Sequence, residues 1–371
     1  MVNGLVFSNF LPRIPEIRDQ LGVSNTGLGG SLLGGGLGGI VGSLLVARVL
    51  RRTTTKNLVT IAATCLSIGL PVIAFIGSPI GLLVALFVLG FADTFNDISM
   101  NAQGVRIQEV VGRPIIQRLH GGWSLGSFAG TGIGLLAAAA NVNIKVHFTI
   151  VGLVMLGAVW TARPHLLATD PAPPVTTSSA ARSRLVSPIV IAMSAMAMGV
   201  AFLEATPNDW SSITMRDAFD VSKRWSGLGT VVFAGAMLIG RLGGDHAKLW
   251  LGSKRFLGLA TVLAAIGGVV VVAASSAGAG LLGFAIWGLG ISVMFPLLYE
   301  MAATLPGTSE GAGLGAMVIG QRSGFMLCTA IVGRFSDVFS LQTAIAMVVA
   351  IALVLLVGTR VWIHPGSTPT I

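Results

Sequence analysis

Charge is scarce in this chain. Lys, Arg, Asp and Glu make up 10% of its 371 residues, against about 25% in an ordinary soluble domain. Two soluble domains would be the usual reading of such a length, but 23 basic and 14 acidic residues cannot cover their surface. Tyrosine occurs once and cysteine twice. Cys65 and Cys328 both sit inside apolar runs, so there is no disulfide framework and no metal-ligand spacing. No glycine-rich loop ends in Gly-Lys-Ser/Thr, and there is neither a His-Glu-x-x-His pair nor a serine-nucleophile elbow. Nucleotide-driven pumping and the common hydrolase chemistries lose their motifs, and no enzyme activity, metal or cofactor is expected. The net charge of +9 is not gathered on a soluble stripe, so nucleic acid is not an expected partner.

What is abundant is apolar residue, at 53%, and glycine, at fifty copies. Close helix approach in lipid relies on small residues, so the composition is that of an all-α polytopic membrane protein. A bilayer core of about 30 Å takes about 20 apolar residues per helix. Spans read at 27–47, 58–77, 80–103, 119–140, 146–163, 187–207, 226–244, 256–277, 279–303, 312–335 and 339–361, with a half-length stretch from Val2 to Leu11 before them. The segment 164–186, with Pro171, Pro173, Pro174, Arg182 and Arg184, reads as a hydrophilic linker between bundles at 1–163 and 187–371. Most Lys and Arg residues fall on the side of that linker. The positive-inside rule therefore puts the linker and the C-terminus in the cytoplasm, with the chain in the plasma (inner) membrane.

The two bundles align at a constant offset of 198 residues. Arg18-Asp19 matches Arg216-Asp217, Val23-Ser24 matches Val221-Ser222, Gly42 matches Gly240, and Gly90 and Gly126 match Gly288 and Gly324. Parallel repeats joined by a long cytoplasmic linker are the layout of rocking secondary transporters. The offset places the start of the first span before Met1, so the first helix is expected to be incomplete.

At the end of the span 226–244 the chain reads Gly240-Arg241-Leu-Gly-Gly-Asp245, then Gly252-Ser-Lys254-Arg255. This resembles the loop signature of the major facilitator superfamily. Its copy after the span 27–47 is degenerate, with Ala47 opposite Asp245 and Thr54 opposite Gly252. The resemblance implies a gating role for Arg241, Asp245, Lys254 and Arg255. Asp93-Thr-Phe-Asn-Asp97-Ile-Ser-Met-Asn101, His120-Gly-Gly-Trp123 and Glu204-Ala-Thr-Pro-Asn-Asp209-Trp210 resemble a bacterial branch related to the fucose permeases. That resemblance implies a proton-carrying carboxylate at Asp93 or Asp97.

Ionisable groups at bilayer depth are costly and mark function by default. Asp93, Asp97 and Asn101 fall at i, i+4 and i+8 on one face, with Asn96 alongside. Carboxylates one turn apart repel when both are ionised, which favours a shared, exchangeable proton. The competing reading is that they only hydrogen-bond neighbouring helices. Glu204 offers a second protonatable group, or else an acid at a helix end. Arg322, flanked by Gln321, needs a carboxylate or an anionic substrate, and is expected to face the span 80–103. Trp123 and Trp287 are candidates for stacking on a substrate ring, although packing is the commoner use of tryptophan. His120 and Glu300 lie near cytoplasmic helix ends, where a gate contact is expected. The function expected is a monomeric secondary carrier, proton-coupled, moving a small polar organic solute such as a sugar or metabolite. An exporter of drugs or metabolites and a non-transporting sensor or scaffold are the alternatives.

Overall fold

A computed structural model describes residues 1–112, 116–168, 188–303, 305 and 310–362. Helices α1 (Val2–Phe10), α2 (Ile14–Leu21), α3 (Asn25–Leu50), α4 (Thr55–Ala74), α5 (Pro79–Val111), α6 (Ile116–Ala139) and α7 (Ile144–Ala162) form the first half. The second holds α8 (Pro188–Asp217), α9 (Leu228–Ala273), α10 (Ala277–Ile291), α11 (Met294–Ala303), α12 (Glu310–Val338) and α13 (Leu341–Trp362). Among the described residues there is no strand. Eight helices there are long and apolar enough to cross a membrane, or nine if a bent pair within α9 counts as one. Large apolar side chains turned outward, such as Leu44, Ile80 and Val354, are what a lipid-facing surface requires.

Helix starts follow from caps. Ser24, Thr54, Ser78 and Ser276 each accept a hydrogen bond from the backbone N–H three residues on, which satisfies a donor the helix cannot. Ser78 and Ser276 are related by the 198-residue offset, so the repeat extends to the capping chemistry.

Glycines show the same symmetry in packing. A Cβ on Gly90 would lie 2.0 Å from the Gly35 carbonyl oxygen, and one on Gly288 would lie 2.5 Å from that of Phe233. Both members of each pair obey the offset, so α5 lies on α3 as α10 lies on α9. Likewise Gly126 faces the Met1 carbonyl and Gly324 that of Met198, which seats α6 on α1 and α12 on α8. These glycines thus close helices within each half. Contact between halves runs through a neighbouring face of α3, where Gly29 meets the Thr329 carbonyl and Gly36 meets Met326 of α12.

Two boundaries depart from the sequence reading and a third agrees with it. The N-terminal stretch does not end at Leu11: a 3-10 turn at Leu11–Arg13 carries it into α2 and on to Leu21. Pro12 and Pro15 tighten that turn without ending the helical path. Helix α8 continues past Pro207 to Asp217, since neighbouring helices can make up for the one backbone bond a proline removes. The spans 226–244 and 256–277 stay separate within the range of α9, because the helical path breaks at Gly252, whose φ of +73° is the left-handed conformation glycine allows. Most of the predicted linker lies outside the described residues. Its first residues dock on the first half, where Gln103 and the Leu167 backbone exchange two hydrogen bonds of 2.9 and 3.1 Å.

Candidate functional site

The central stretch of α5 carries the acidic stripe. Its period of four puts Asp93, Asp97 and Asn101 on one side, and Asn101 Nδ2 donates to Asp97 Oδ1 at 3.1 Å. Asn3 of α1 hydrogen-bonds the Asp93 carboxylate. Asp97 is exposed and Asp93 half-buried, whereas Asn96 is buried on another face of the helix. The structure therefore gathers Asp93, Asp97 and Asn101, and leaves Asn96 among packed helices.

Arg322 of α12 reaches this stripe from the other half of the chain. Its Nη1 donates to Thr94 Oγ1 at 3.1 Å, and Asp93 lies within its electrostatic reach. A Cβ on Gly39 would sit 2.7 Å from the same nitrogen, so the missing side chain at Gly39 makes room for the guanidinium. The expectation that Arg322 faces the span 80–103 matches this placement. Beside it, Tyr299 of α11 donates to Gln321 Oε1 at 3.1 Å and is within electrostatic reach of both Asp97 and Arg322.

A second charged couple lies across the opposite seam. Arg241 Nη2 stands 3.9 Å from Glu204 Oε1. The same guanidinium lies 5.8 Å from the Trp123 ring centroid and donates to Ser124 Oγ and the Ser292 carbonyl, both at 3.3 Å. One arginine thereby ties α9 to α8, to the α10–α11 junction and, across the halves, to α6. Glu204 is 8% exposed, and its Oε2 has no partner among the described residues. Helix α9 thus sets Arg241 in contact with Glu204 and Trp123, which the sequence reading had assigned to other roles.

The remaining candidates do not join either cluster. Trp287 is wholly buried, with its ring against Gly268. Glu300 pairs with Lys248, and Arg255 is exposed. The side chains of His120, Asp245 and Lys254 lie outside the described residues.

Several interactions had no clear signal in the sequence. Asn9 and His147 are hydrogen-bonded at 2.9 Å in a buried contact between α1 and α7. Arg13 is 1% exposed; it holds Glu16 at 2.8 Å and the Val142 carbonyl at 2.8 Å. At the end of the molecule away from the linker, Arg18 pairs with Asp217 at 2.7 Å and Arg216 with Asp19 at 3.0 Å. Close by, Asp337 of α12 accepts from the backbone N–H groups of Asn25 (3.1 Å) and Thr26 (2.7 Å), at the start of α3. The matched Arg-Asp dipeptides of the repeat were the only hint of this layer.

Comparison with known proteins agrees with this architecture. The Major Facilitator Superfamily family description matches residues 1–310. An uncharacterised MFS-type transporter of Yersinia pestis is 25% identical, over 97% of this chain and 92% of its own length. The membrane protein MosC of Rhizobium meliloti is 24% identical, over 95% and 86%. Among solved structures, a variant of the nucleoside transporter NupG superposes with a TM-score of 0.83 at 12% identity, covering 98% of this chain and 97% of that one. A D-xylose-proton symporter does so at 0.75 and 13% identity, covering 98% and 96%.

Proposed function

This chain belongs to the Major Facilitator Superfamily, and on that premise we propose that it is a proton-coupled carrier of a small polar organic solute, working by alternating access. As a member of that family it is a multi-pass membrane protein and a secondary transporter of small solutes. The coupling reading rests on one observation: Asp93 and Asp97 share the face of α5 that Arg322 reaches from the other half. A group that takes up and releases a proton on that face changes the charge felt across the seam, which biases the rocking of one half against the other. The fucose-permease resemblance assigns the same role to a carboxylate here, and one structural relative is a proton symporter by name.

Asp93 and Asp97 carry the proton, and Asn101, Gln321 and Arg322 contact the solute. Glu204 and Arg241 form the matching couple beside Trp123. The carrier acts as a monomer in the plasma membrane, with bundles at 1–163 and 187–371 and a cytoplasmic C-terminus. The test is uptake into proteoliposomes under an imposed pH gradient, with solutes drawn from a thermal-shift screen. A bound solute whose accumulation ignores the gradient would remove the proton from the reading.

A further inference from the structure

Arg322 has more hydrogen-bonding capacity than its neighbours use. A guanidinium carries five N–H donors, and the one hydrogen bond it makes among the described residues is to Thr94. It enters no ion pair within 4.0 Å among those residues. Asp93 and Asp97 are engaged by amides, Asn3 and Asn101 respectively, so Asp93 acts on Arg322 through space without capturing it. Gly39 and Thr94 hold one edge of the guanidinium. Tyr299, which donates to Gln321, lies within electrostatic reach of Arg322. In the open carrier water serves the remaining donors. When the halves close, that water leaves and the donors need acceptors.

We propose that Arg322 docks the carboxylate of an organic monoanion, and that each anion is carried together with one proton taken by the Asp93–Asp97 pair. A carboxylate matches the two parallel donors of a guanidinium edge. The charge balance fixes the rest, taking the proton-coupled reading above as its basis. With one proton shared between the two aspartates, the site holds one cation and one anion and is neutral. A bound monoanion makes it negative, and a second proton on the pair restores neutrality. Burying a net charge at bilayer depth is strongly unfavourable, so the loaded carrier closes only when both arrive. A neutral solute entering with a proton would instead leave the closed site positive. A dianion would need a second free cation, and Arg241 is already engaged by Glu204, Ser124 and Ser292.

The test uses the full chain and four matched pairs: lactate and lactamide, gluconate and gluconamide, glucuronate and glucuronamide, benzoate and benzamide. Binding is read by thermal shift in detergent. At least one carboxylate should bind, and its amide should bind at least about tenfold more weakly, the loss expected for a charge-assisted pair. Arg322→Gln should erase that preference, and Arg322→Lys, which keeps the charge but not the fork, should retain part of it. In proteoliposomes, accumulation of the bound carboxylate should follow a pH gradient and be indifferent to a potassium diffusion potential, because the step is electroneutral. Failure of every carboxylate to bind, or equal binding by the amide, overturns the anion site. Accumulation that follows the potential overturns the one-to-one balance. A carboxylate preference with no response to the pH gradient overturns the proton coupling and leaves the anion site standing, so the two failures are distinct.

Discussion

Arg18 donates to Asp217 at 2.7 Å and Arg216 to Asp19 at 3.0 Å, a reciprocal exchange between residues that the 198-residue offset makes equivalent. Lys223 adds a third contact to Asp19 at 3.0 Å. Each half offers its Arg-Asp dipeptide to the other, so this clasp exists only while that end of the molecule is closed. Partly exposed ion pairs contribute about 0.2–1 kcal/mol each. Three of them together bias the closed state by about 0.6–3 kcal/mol, roughly threefold to a hundredfold in population. Asp19→Asn with Asp217→Asn should therefore open this end. Spin labels at Gly77 and Ser275, exposed loop positions related by the repeat, should report a longer distance. An unchanged distance distribution would show that the clasp does not hold the closed state.

Asp337 strengthens the same closure by different means. Its carboxylate accepts two backbone hydrogen bonds at the start of α3, where the helix dipole favours negative charge by about 0.3–1 kcal/mol. Because α3 and α12 belong to different halves, this cap is also lost on opening. Asp337→Asn should shift the same spin-label distance in the same direction, by less than the double aspartate variant. A shift toward the closed state would contradict the cap.

The sequence made the helices legible because lipid imposes a length and an apolar composition on each span. The repeat was legible because glycine contacts and caps recur at equivalent positions. The extensions to Leu21 and past Pro207 were not, since Pro12, Pro15 and Pro207 are ordinarily breakers and only tertiary packing decides whether a helical path continues through them. At the site, Asp93, Asp97 and Arg322 stood out as charges inside apolar runs. Thr94, Gly39 and Tyr299 did not, because their part depends on where another helix puts a guanidinium. Arg241 was read as part of the loop signature, yet its side chain lies against Glu204 and Trp123.

Coupling is tested at the acids themselves. Asp93→Asn or Asp97→Asn removes a titratable carboxyl, the proposed proton carrier, while keeping the size of the side chain. At least one of them should abolish accumulation under a pH gradient yet preserve solute exchange at equal concentrations across the membrane, since exchange needs no net proton movement. Accumulation retained by both variants would place the proton elsewhere.

The glycine contacts sort themselves by direction. A Cβ on Gly320 would lie 1.9 Å from the Ser194 carbonyl oxygen and one on Gly38 1.9 Å from that of Phe87, whereas nothing lies within 4 Å of one on Gly30. Gly320→Ala and Gly38→Ala should each cost at least about 1–3 kcal/mol, the range for overpacked sites, because a backbone carbonyl cannot rotate away as a side chain can. Gly30→Ala should be neutral or stabilising, since alanine is the better helix former by about 1 kcal/mol. Thermal denaturation of the three purified variants makes the comparison, and equal melting temperatures would mean that these helices do not touch where the structure puts them.

Glu204 and Arg241 allow a sharper test, because the acid is buried and its Oε2 lacks a partner. Removing the cation from such a pair leaves an uncompensated buried carboxylate, at a cost of about 3–5 kcal/mol. Arg241→Leu should therefore destabilise the protein severely at neutral pH. Glu204→Gln alone should be milder, since it removes charge and leaves Arg241 its contacts with Ser124, Ser292 and the Trp123 ring. Combining Arg241→Leu with Glu204→Gln should recover much of the loss, because the damage comes from the stranded charge more than from the missing contact. Melting temperatures of the two single variants and the double variant form a closed cycle. A double variant no more stable than Arg241→Leu would show that the two groups do not interact, and that Arg241 serves only the seam between α6 and α9.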